Sequence, residues 1–384
     1  MISVAVLYLN PVTLGLTNAI VSESLAAPAL YCALAEAVPV LVWRRRERRY
    51  IALFALWMGI AALIRHPLVV LAAVLPIGLF LDGIRALVLR ARLQTTIRAL
   101  GVSLAAIAVV IVGVSVVELA VENALGVEPF SVPGRAFTYR LAFADLNNGM
   151  LPGLDQASLR DVIEKMKRST DDPQLRQTID LVAAIEPWHE TWIKVISQVA
   201  APHCTGCRAQ RINGNADRLL NRVMMLALLG DYPSLWKDAL LRTGIFLHPG
   251  NAYWTGQSMQ LTASGTFDPA AIEGSFLWPG RDFEALLRPS AMFLGRNLFL
   301  AACVVAAVLV VLRRRWALFS CSALLAAALY ALATSVVTVY VPRYALPIEQ
   351  ISLVVLLAAL IEMKWPQPWR AAASKARDAG SSTR

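Results

Sequence analysis

Apolar residues fall in long unbroken runs over most of the chain, and only one stretch shows the shorter periodicity of a water-facing fold. A membrane-crossing helix needs roughly 17–25 predominantly apolar residues. Runs of that order lie near 2–18, 24–43, 50–64, 67–84, 99–119, 292–312, 316–338 and 345–362. The third is short and stops at Arg65-His66-Pro67. Proline disfavours helical backbone in the residue before it, so the chain is expected to turn there and the fourth run to return.

From Pro129 to Pro289 the pattern changes to amphipathic helices separated by turn residues. Leu159, Val162, Ile163 and Met166 form one stripe, and 175–185 and 188–199 behave similarly. Asn215 is expected to cap a helix that runs to Leu229. Pro233 is expected to open another that reaches Leu247, with Trp236, Leu240 and Phe246 packing in this domain or resting on the headgroup layer. The stretch 251–268, rich in Gly, Ser and Thr, reads as loop. Neither an internal repeat nor a sheet pattern stands out. The pattern predicts an all-α integral membrane protein, a polytopic bundle of about eight spans with an inserted helical extracytoplasmic domain. Its expected limits are 1–119 for the N-terminal bundle of about five spans and 120–290 for the inserted domain. Residues 291–363 would form a C-terminal bundle of about three spans and 364–384 a basic tail.

Composition agrees with lipid as part of the solvent. The chain is 57% hydrophobic and 16% charged, with a mean hydropathy of +0.57, whereas soluble domains carry about 25% charged residues. Its net charge of +10 raises the question of a nucleic-acid partner. The segment 120–290 is nearly neutral, with 16 basic residues against 18 acidic ones, so the positive surplus lies on short loops and the tail. That distribution fits anchors at one membrane face and excludes nucleic acid as the expected partner.

The basic residues also set an orientation. Arg44, Arg45, Arg46, Arg48 and Arg49 follow the second run; Arg85, Arg90, Arg92 and Arg98 follow the fourth. Arg313, Arg314 and Arg315 follow the sixth, and Lys364, Arg370, Lys375, Arg377 and Arg384 follow the last. These are alternate loops, and positively charged loops stay in the cytoplasm. The expectation is a multi-pass protein of the bacterial inner membrane, with a cytoplasmic C-terminus and a periplasmic 120–290 domain. The first run has no basic region before it and no small-residue cleavage site after it, so it reads as a retained helix rather than a signal peptide.

On this topology Glu23, Arg65 and Arg343 all stand at span ends on the outer side. Charges inside spans cost about 2.5–3.5 kcal/mol on insertion scales and mark a function or a partner. Arginine offers a planar fork that donates two parallel hydrogen bonds to phosphate and keeps its proton. Two arginines and a carboxylate delivered by three turns would therefore form an anion site for a lipid phosphate, with His66 as a further donor. The alternatives are arginines that snorkel to headgroups and a Glu23 that simply caps a helix start.

Cys32, Cys303 and Cys321 fall inside predicted spans, where cysteine packs as a small apolar residue. Cys204-Thr-Gly-Cys207 lies in the outer segment, where a local disulfide is permitted. A redox pair, or a metal site completed by His203 or His189, stays open, although no matching second pair of ligands accompanies them. No cofactor is implied by the residues, and a divalent metal stays compatible with them.

Three motifs carry a resemblance. Asn18-Ala-Ile-Val-Ser-Glu-Ser-Leu-Ala-Ala-Pro28 opens a span, and Gly59-Ile-Ala-Ala-Leu-Ile-Arg-His-Pro67 ends one after a basic loop. Pro342-Arg-Tyr-Ala-Leu-Pro347 opens the last. Their order and sidedness over about 1–120 and 290–362 resemble the GT-C superfamily of polytopic glycosyltransferases, in particular the protein-mannosyltransferase and aminoarabinose-transferase-like group. The resemblance implies transfer of a sugar from a polyprenyl-phosphate-linked donor to a lipid, glycan or protein acceptor on the outer face. It implies that Arg65, Arg343 and His66 bind the donor phosphate and that Glu23 and Tyr344 shape the pocket.

The chain departs from the family at one point. Members carry an acidic general base in the first outer loop, and here no Asp or Glu precedes Glu23. Either the catalytic base is expected upstream of Met1, in a chain that starts late, or the homologue has lost catalysis; Asp145 and Asp155 have no spacing that recommends them. Two other classes remain: a non-enzymatic membrane assembly or adaptor protein, in which Arg65 and Arg343 tolerate alanine, and a transporter of lipid-linked substrates.

Overall fold

A computed structural model of the chain describes residues 22–88, 94–125, 134, 137–138, 156–183, 209–247, 297–337 and 345–364. The expected span at 2–18, the helix at 188–199, the loop at 251–268 and the tail after 364 lie outside the described residues.

Every described element is helical. In chain order they are α1 (Ser22–Leu41), α2 (Arg48–Ile64), a 3-10 helix (His66–Ala73), α3 (Val74–Val88) and α4 (Gln94–Leu125). There follow α5 (Gln156–Arg168), α6 (Pro173–Ala183), α7 (Ala209–Leu229), α8 (Pro233–Leu247), α9 (Asn297–Val311), α10 (Ala317–Val337) and α11 (Leu346–Lys364). Three stretches are long and apolar enough to cross a membrane: His66–Val88, Gln94–Val117 and Ala317–Val337. Ala26–Leu41 and Asn297–Val311 are shorter apolar helices.

Helix α10 is the hub of the larger core. It packs against α1, the 3-10 helix, α3, α8 and α11. Its Ala323, Ala326, Ala327 and Ala331 are fully buried, and small residues let neighbouring helix backbones approach closely where no hydrophobic effect drives association. Tyr330 and Phe319 fill the remaining volume, joined by Leu30, Phe54, Met58 and Leu71 from the first half of the chain. Helix α4 sits at the edge against α2 and α3. Only 11% of its apolar window is buried, with Val109, Val112 and Val116 turned outward. An apolar face of that length is a poor water-facing surface and suits lipid.

The interruption after α2 falls at the expected place. Arg65 is extended (φ −152°, ψ 99°); its N–H donates to the Ala61 carbonyl at 2.9 Å, and its own carbonyl accepts from Leu68 N–H at 3.0 Å. Pro67 has no N–H to continue the α2 ladder, so the chain restarts as a 3-10 helix with proline in its first turn. This 3-10 helix packs on α2 and α10.

At the opposite helix ends, arginines take unusual backbone positions. Arg44 and Arg313 have φ of 56° and 49°, in the left-handed region that L residues other than glycine adopt sparingly. Around Arg313 the Arg313 N–H donates to Val310 (2.9 Å) and the Arg314 N–H to Leu309 (2.8 Å). This is the Schellman pattern, with arginine where glycine is usual. Asp82, buried on α3, accepts from Arg46 and pairs with Arg44 at 3.6 Å. Arg46 also donates to Thr96 and, at 3.1 Å, to Thr95, which ties the α1–α2 connection to the start of α4.

A second, smaller core gathers α5, α6 and α7 around Phe137, Met166, Ile179 and Leu220. Asp172 caps α6, accepting from Gln174 N–H at 2.9 Å and Leu175 N–H at 3.3 Å, and pairs with Arg222 of α7 at 2.7 Å. The Arg222 bond holds the Asp172 carboxyl below its ordinary range against a lesser opposing effect of desolvation, with the two backbone bonds adding to the lowering. Helix α7 begins at Ala209, so Asn215 lies inside it and is not the cap the pattern predicts. The preceding Ala-Gln-Arg-Ile run supplies helix formers that carry the helix further back.

Helix α8 links the two cores. Tyr232 and Leu235 belong to the smaller one, whereas Phe246 is buried in the larger, against which α8 lies along α10. Trp236 and Leu240 are exposed. Asp238 and Arg242, one helical turn apart and both buried, make an ion pair at 2.9 Å that lets two charges sit in this contact.

Candidate functional site

The first turns of α1, the break at Arg65 and the first turn of α11 meet at one small cavity. Its volume is about 10 Å³, and its walls are Ala26, Ala27 and Leu30 of α1, Arg65 and Leu68, and Leu346, Pro347 and Gln350 of α11. Each part comes from a local feature already traced. The α2 ladder cannot pass Pro67, so Arg65 is held in extended backbone at a helix end. Helix α11 opens with proline as its second residue, where the missing N–H is harmless.

Arg65 is 6% exposed and Gln350 2%. A guanidinium keeps its charge even when buried, so the cavity has a fixed cation in its wall. The Gln350 Nε2 is buried with no hydrogen-bond partner among the described residues. An unmade buried donor costs about 1–3 kcal/mol, which makes it a feature to be explained. Glu349 and Ser352 of α11, and Thr334 and Ser335 of α10, are also buried. Ser352 and Ser335 donate to carbonyls one turn back, at Ile348 (2.8 Å) and Ala331 (2.7 Å).

The residues singled out from the sequence are distributed as follows. Arg65 lines the cavity. His66 is exposed and is not among the lining residues. Glu23 lies in the first turn of α1, one turn before Ala26, and its side chain is outside the described residues. Arg343 and Tyr344 are outside them as well, directly before the buried Ala345. Cys204, Cys207, His203 and His189, and Asp145 and Asp155, are also outside. Cys32, Cys303 and Cys321 are free thiols on α1, α9 and α10. Among the described residues no group of His, Cys, Asp and Glu is placed to hold a metal ion.

Gln350 and Glu349 were legible and went unread. They are adjacent polar residues inside the apolar run 345–362, and such residues in a span mark a site or a partner.

Chemically, the cavity offers one permanent cation and one amide donor between walls of alanine, leucine and proline. Such a pocket suits a small anionic group with an apolar attachment. At this size the cavity admits about one water, so a phosphate would enter only if the walls move apart, and the rest of any lipid-linked ligand would lie outside it. No protein-family model, curated protein or solved structure matches the chain.

Proposed function

We propose that this chain is a membrane protein of the polytopic glycosyltransferase type, built from about eight spans. Its cavity would bind the phosphate of a polyprenyl-phosphate-linked sugar at the outer membrane boundary. Arginine-bearing loops on the other side fix the orientation by the positive-inside rule. The observation that carries the reading is the meeting of Arg65 with the first turns of α1 and α11 around one cavity. These are the three places from which Glu23, Arg65 and Arg343 are contributed. In sequence, Arg343 stands three residues before the wall residue Leu346.

In the proposed reaction the bond between the anomeric carbon and the donor phosphate oxygen breaks, and a bond to the acceptor hydroxyl oxygen forms. The acceptor proton passes to a carboxylate acting as general base. Negative charge collects on the leaving lipid phosphate. Cations already in position stabilise that charge without reorganising, which is the role of Arg65 and Arg343. Gln350 adds a neutral donor to the same group, and Glu23 and Tyr344 shape the entrance. His66, exposed at the rim, is a donor only to a ligand that extends outside the cavity.

The test is binding of polyprenyl phosphate and of the matching phosphate-free alcohol to the full chain in lipid nanodiscs. The wild type is expected to prefer the phosphate at least about tenfold, in line with a charge-assisted bidentate contact. Arg65→Ala should abolish that preference, and Arg65→Lys should keep part of it, since lysine retains charge but not the fork. Equal binding of the two lipids by a wild type of intact helical content would overturn the reading.

A further inference from the structure

The other end of the bundle holds a larger and more strongly charged feature. Arg44 and Arg45 from the α1–α2 connection, Arg85 from the last turn of α3, and Arg313, Arg314 and Arg315 between α9 and α10 line one open cavity. It measures about 940 Å³. We propose that this cavity is a binding site for an anionic phospholipid, with its phosphate held by the arginines and its acyl chains against the adjacent apolar helices. The site is separate from the sugar-transfer reading and requires only that the helices cross a membrane.

Loop arginines that merely set orientation have no need to converge. Here two connections and one helix end bring them to one cavity. Among the described residues one carboxylate serves the cluster, and it is already committed: Asp82 holds Arg44 and Arg46. Arg85, Arg313, Arg314 and Arg315 have no acidic partner among the described residues. Like charges crowded this way repel, and an anion relieves the repulsion.

The backbone makes the same point. Arg44 and Arg313 both adopt left-handed φ, and both line the cavity. Glycine would hold either helix end with less strain. Strain of this kind persists where the side chain has a task, and it clusters at ligand clamps.

The surroundings select a lipid over a soluble anion. Leu41, Val42, Trp43 and Leu318 form the apolar part of the lining. Val311 and Leu312, directly before Arg313, are strongly exposed, as are Leu87 and Val88 after Arg85. The arginines therefore stand where the apolar belt ends. Trp43, itself more than half exposed, has the amphipathic ring that favours that boundary. Basic pockets between helices at this level suit anionic headgroups.

The experiment uses the full chain purified in neutral detergent, with three probes: dioleoyl phosphatidylglycerol, dioleoyl phosphatidylcholine and inorganic pyrophosphate. Retained lipid is read by native mass spectrometry and stability by thermal unfolding. Phosphatidylglycerol should be retained and should raise the melting temperature; phosphatidylcholine and pyrophosphate should do neither. Arg313→Gly is the informative variant, because it relaxes the backbone while deleting a cation. It should match or exceed the wild type in stability without lipid, yet bind phosphatidylglycerol about fivefold more weakly, the effect expected of one interfacial arginine. Arg314→Gln with Arg315→Gln should lower affinity further, whereas Arg370→Gln with Lys375→Gln in the tail should leave it unchanged. Retention of phosphatidylcholine as strong as that of phosphatidylglycerol would overturn the proposal. So would equal stabilisation by pyrophosphate, or phosphatidylglycerol affinity that is the same in the cavity variants.

Discussion

Arg65 and Gln350, one at the end of α2 and the other in the first turn of α11, are buried in the walls of the same small cavity. A helix broken by Pro67 and a helix opened by Pro347 bring them there from opposite halves of the chain. The pair gives the cavity its chemistry: a fixed cation and an amide donor with nothing to donate to among the described residues.

Gln350→Leu separates a ligand donor from a structural one. Removing a buried, unsatisfied Nε2 should leave the fold as stable as the wild type or stabilise it by about 1 kcal/mol, while polyprenyl phosphate binds less tightly. Thermal unfolding and binding in the same detergent check both halves. A destabilised variant with unchanged binding would mean that the amide serves the fold.

Asp82 is the buried anchor for Arg44 and Arg46. Asp82→Ala should cost about 1–3 kcal/mol, since the carboxylate accepts charge-assisted bonds and its partners retain some access to water. The midpoint of unfolding in a denaturing detergent measures it. A change within about 0.5 kcal/mol, the range of ordinary surface substitutions, would show that the ion pair is incidental.

Gly134 touches α7 closely. Its N–H donates to Asn221 Oδ1 at 2.8 Å, and a Cβ there would come 2.5 Å from the Asn221 backbone nitrogen. Because backbone cannot swing aside as a side-chain tip can, Gly134→Ala should lower stability by about 1–3 kcal/mol. Unfolding followed by circular dichroism on the full chain gives the value. Asn221→Ala, which removes the acceptor, should cost about 1 kcal/mol.

The Asp172–Arg222 pair makes the smaller core sensitive to acid. The folded-state pKa of Asp172 is lowered, first by Arg222 and then by the α6 backbone N–H groups. The folded state therefore favours the ionised form. That stabilisation is fully present above the ordinary carboxylate range and is lost as pH falls through the lowered value. Asp172→Asn should be less stable than the wild type at neutral pH, with the gap closing as pH falls below the ordinary carboxylate range. Melting curves at several pH values test the sign.

Much of the bundle was legible because apolar run length and proline are strong signals. The run 24–43 corresponds to α1, 50–64 to α2, and Arg65-His66-Pro67 to the break. Helix ends were less so. Helix α4 runs from Gln94 to Leu125, beyond the apolar 99–119, because Gln94, Thr95 and Thr96 continue a helix that hydropathy does not see. Helix α8 packing along α10 was not legible, since Asp238 and Arg242 read as surface charges until their mutual pairing is known. The gathering of six arginines into one cavity is likewise a tertiary fact, because charge in a loop reveals a side of the membrane and not a neighbour. The reach of Glu23 and Arg343 was a matter of expectation in the sequence, and their side chains lie outside the described residues.

The proposed convergence of Arg65 and Arg343 on a shared lipid phosphate is most directly tested by a double-mutant cycle on polyprenyl phosphate binding. Arg65→Ala and Arg343→Ala should each weaken binding, and the double variant should be little weaker than the weaker single variant, since both remove parts of one contact. Losses that simply add, or an Arg343→Ala variant that binds as the wild type does, would contradict the shared site.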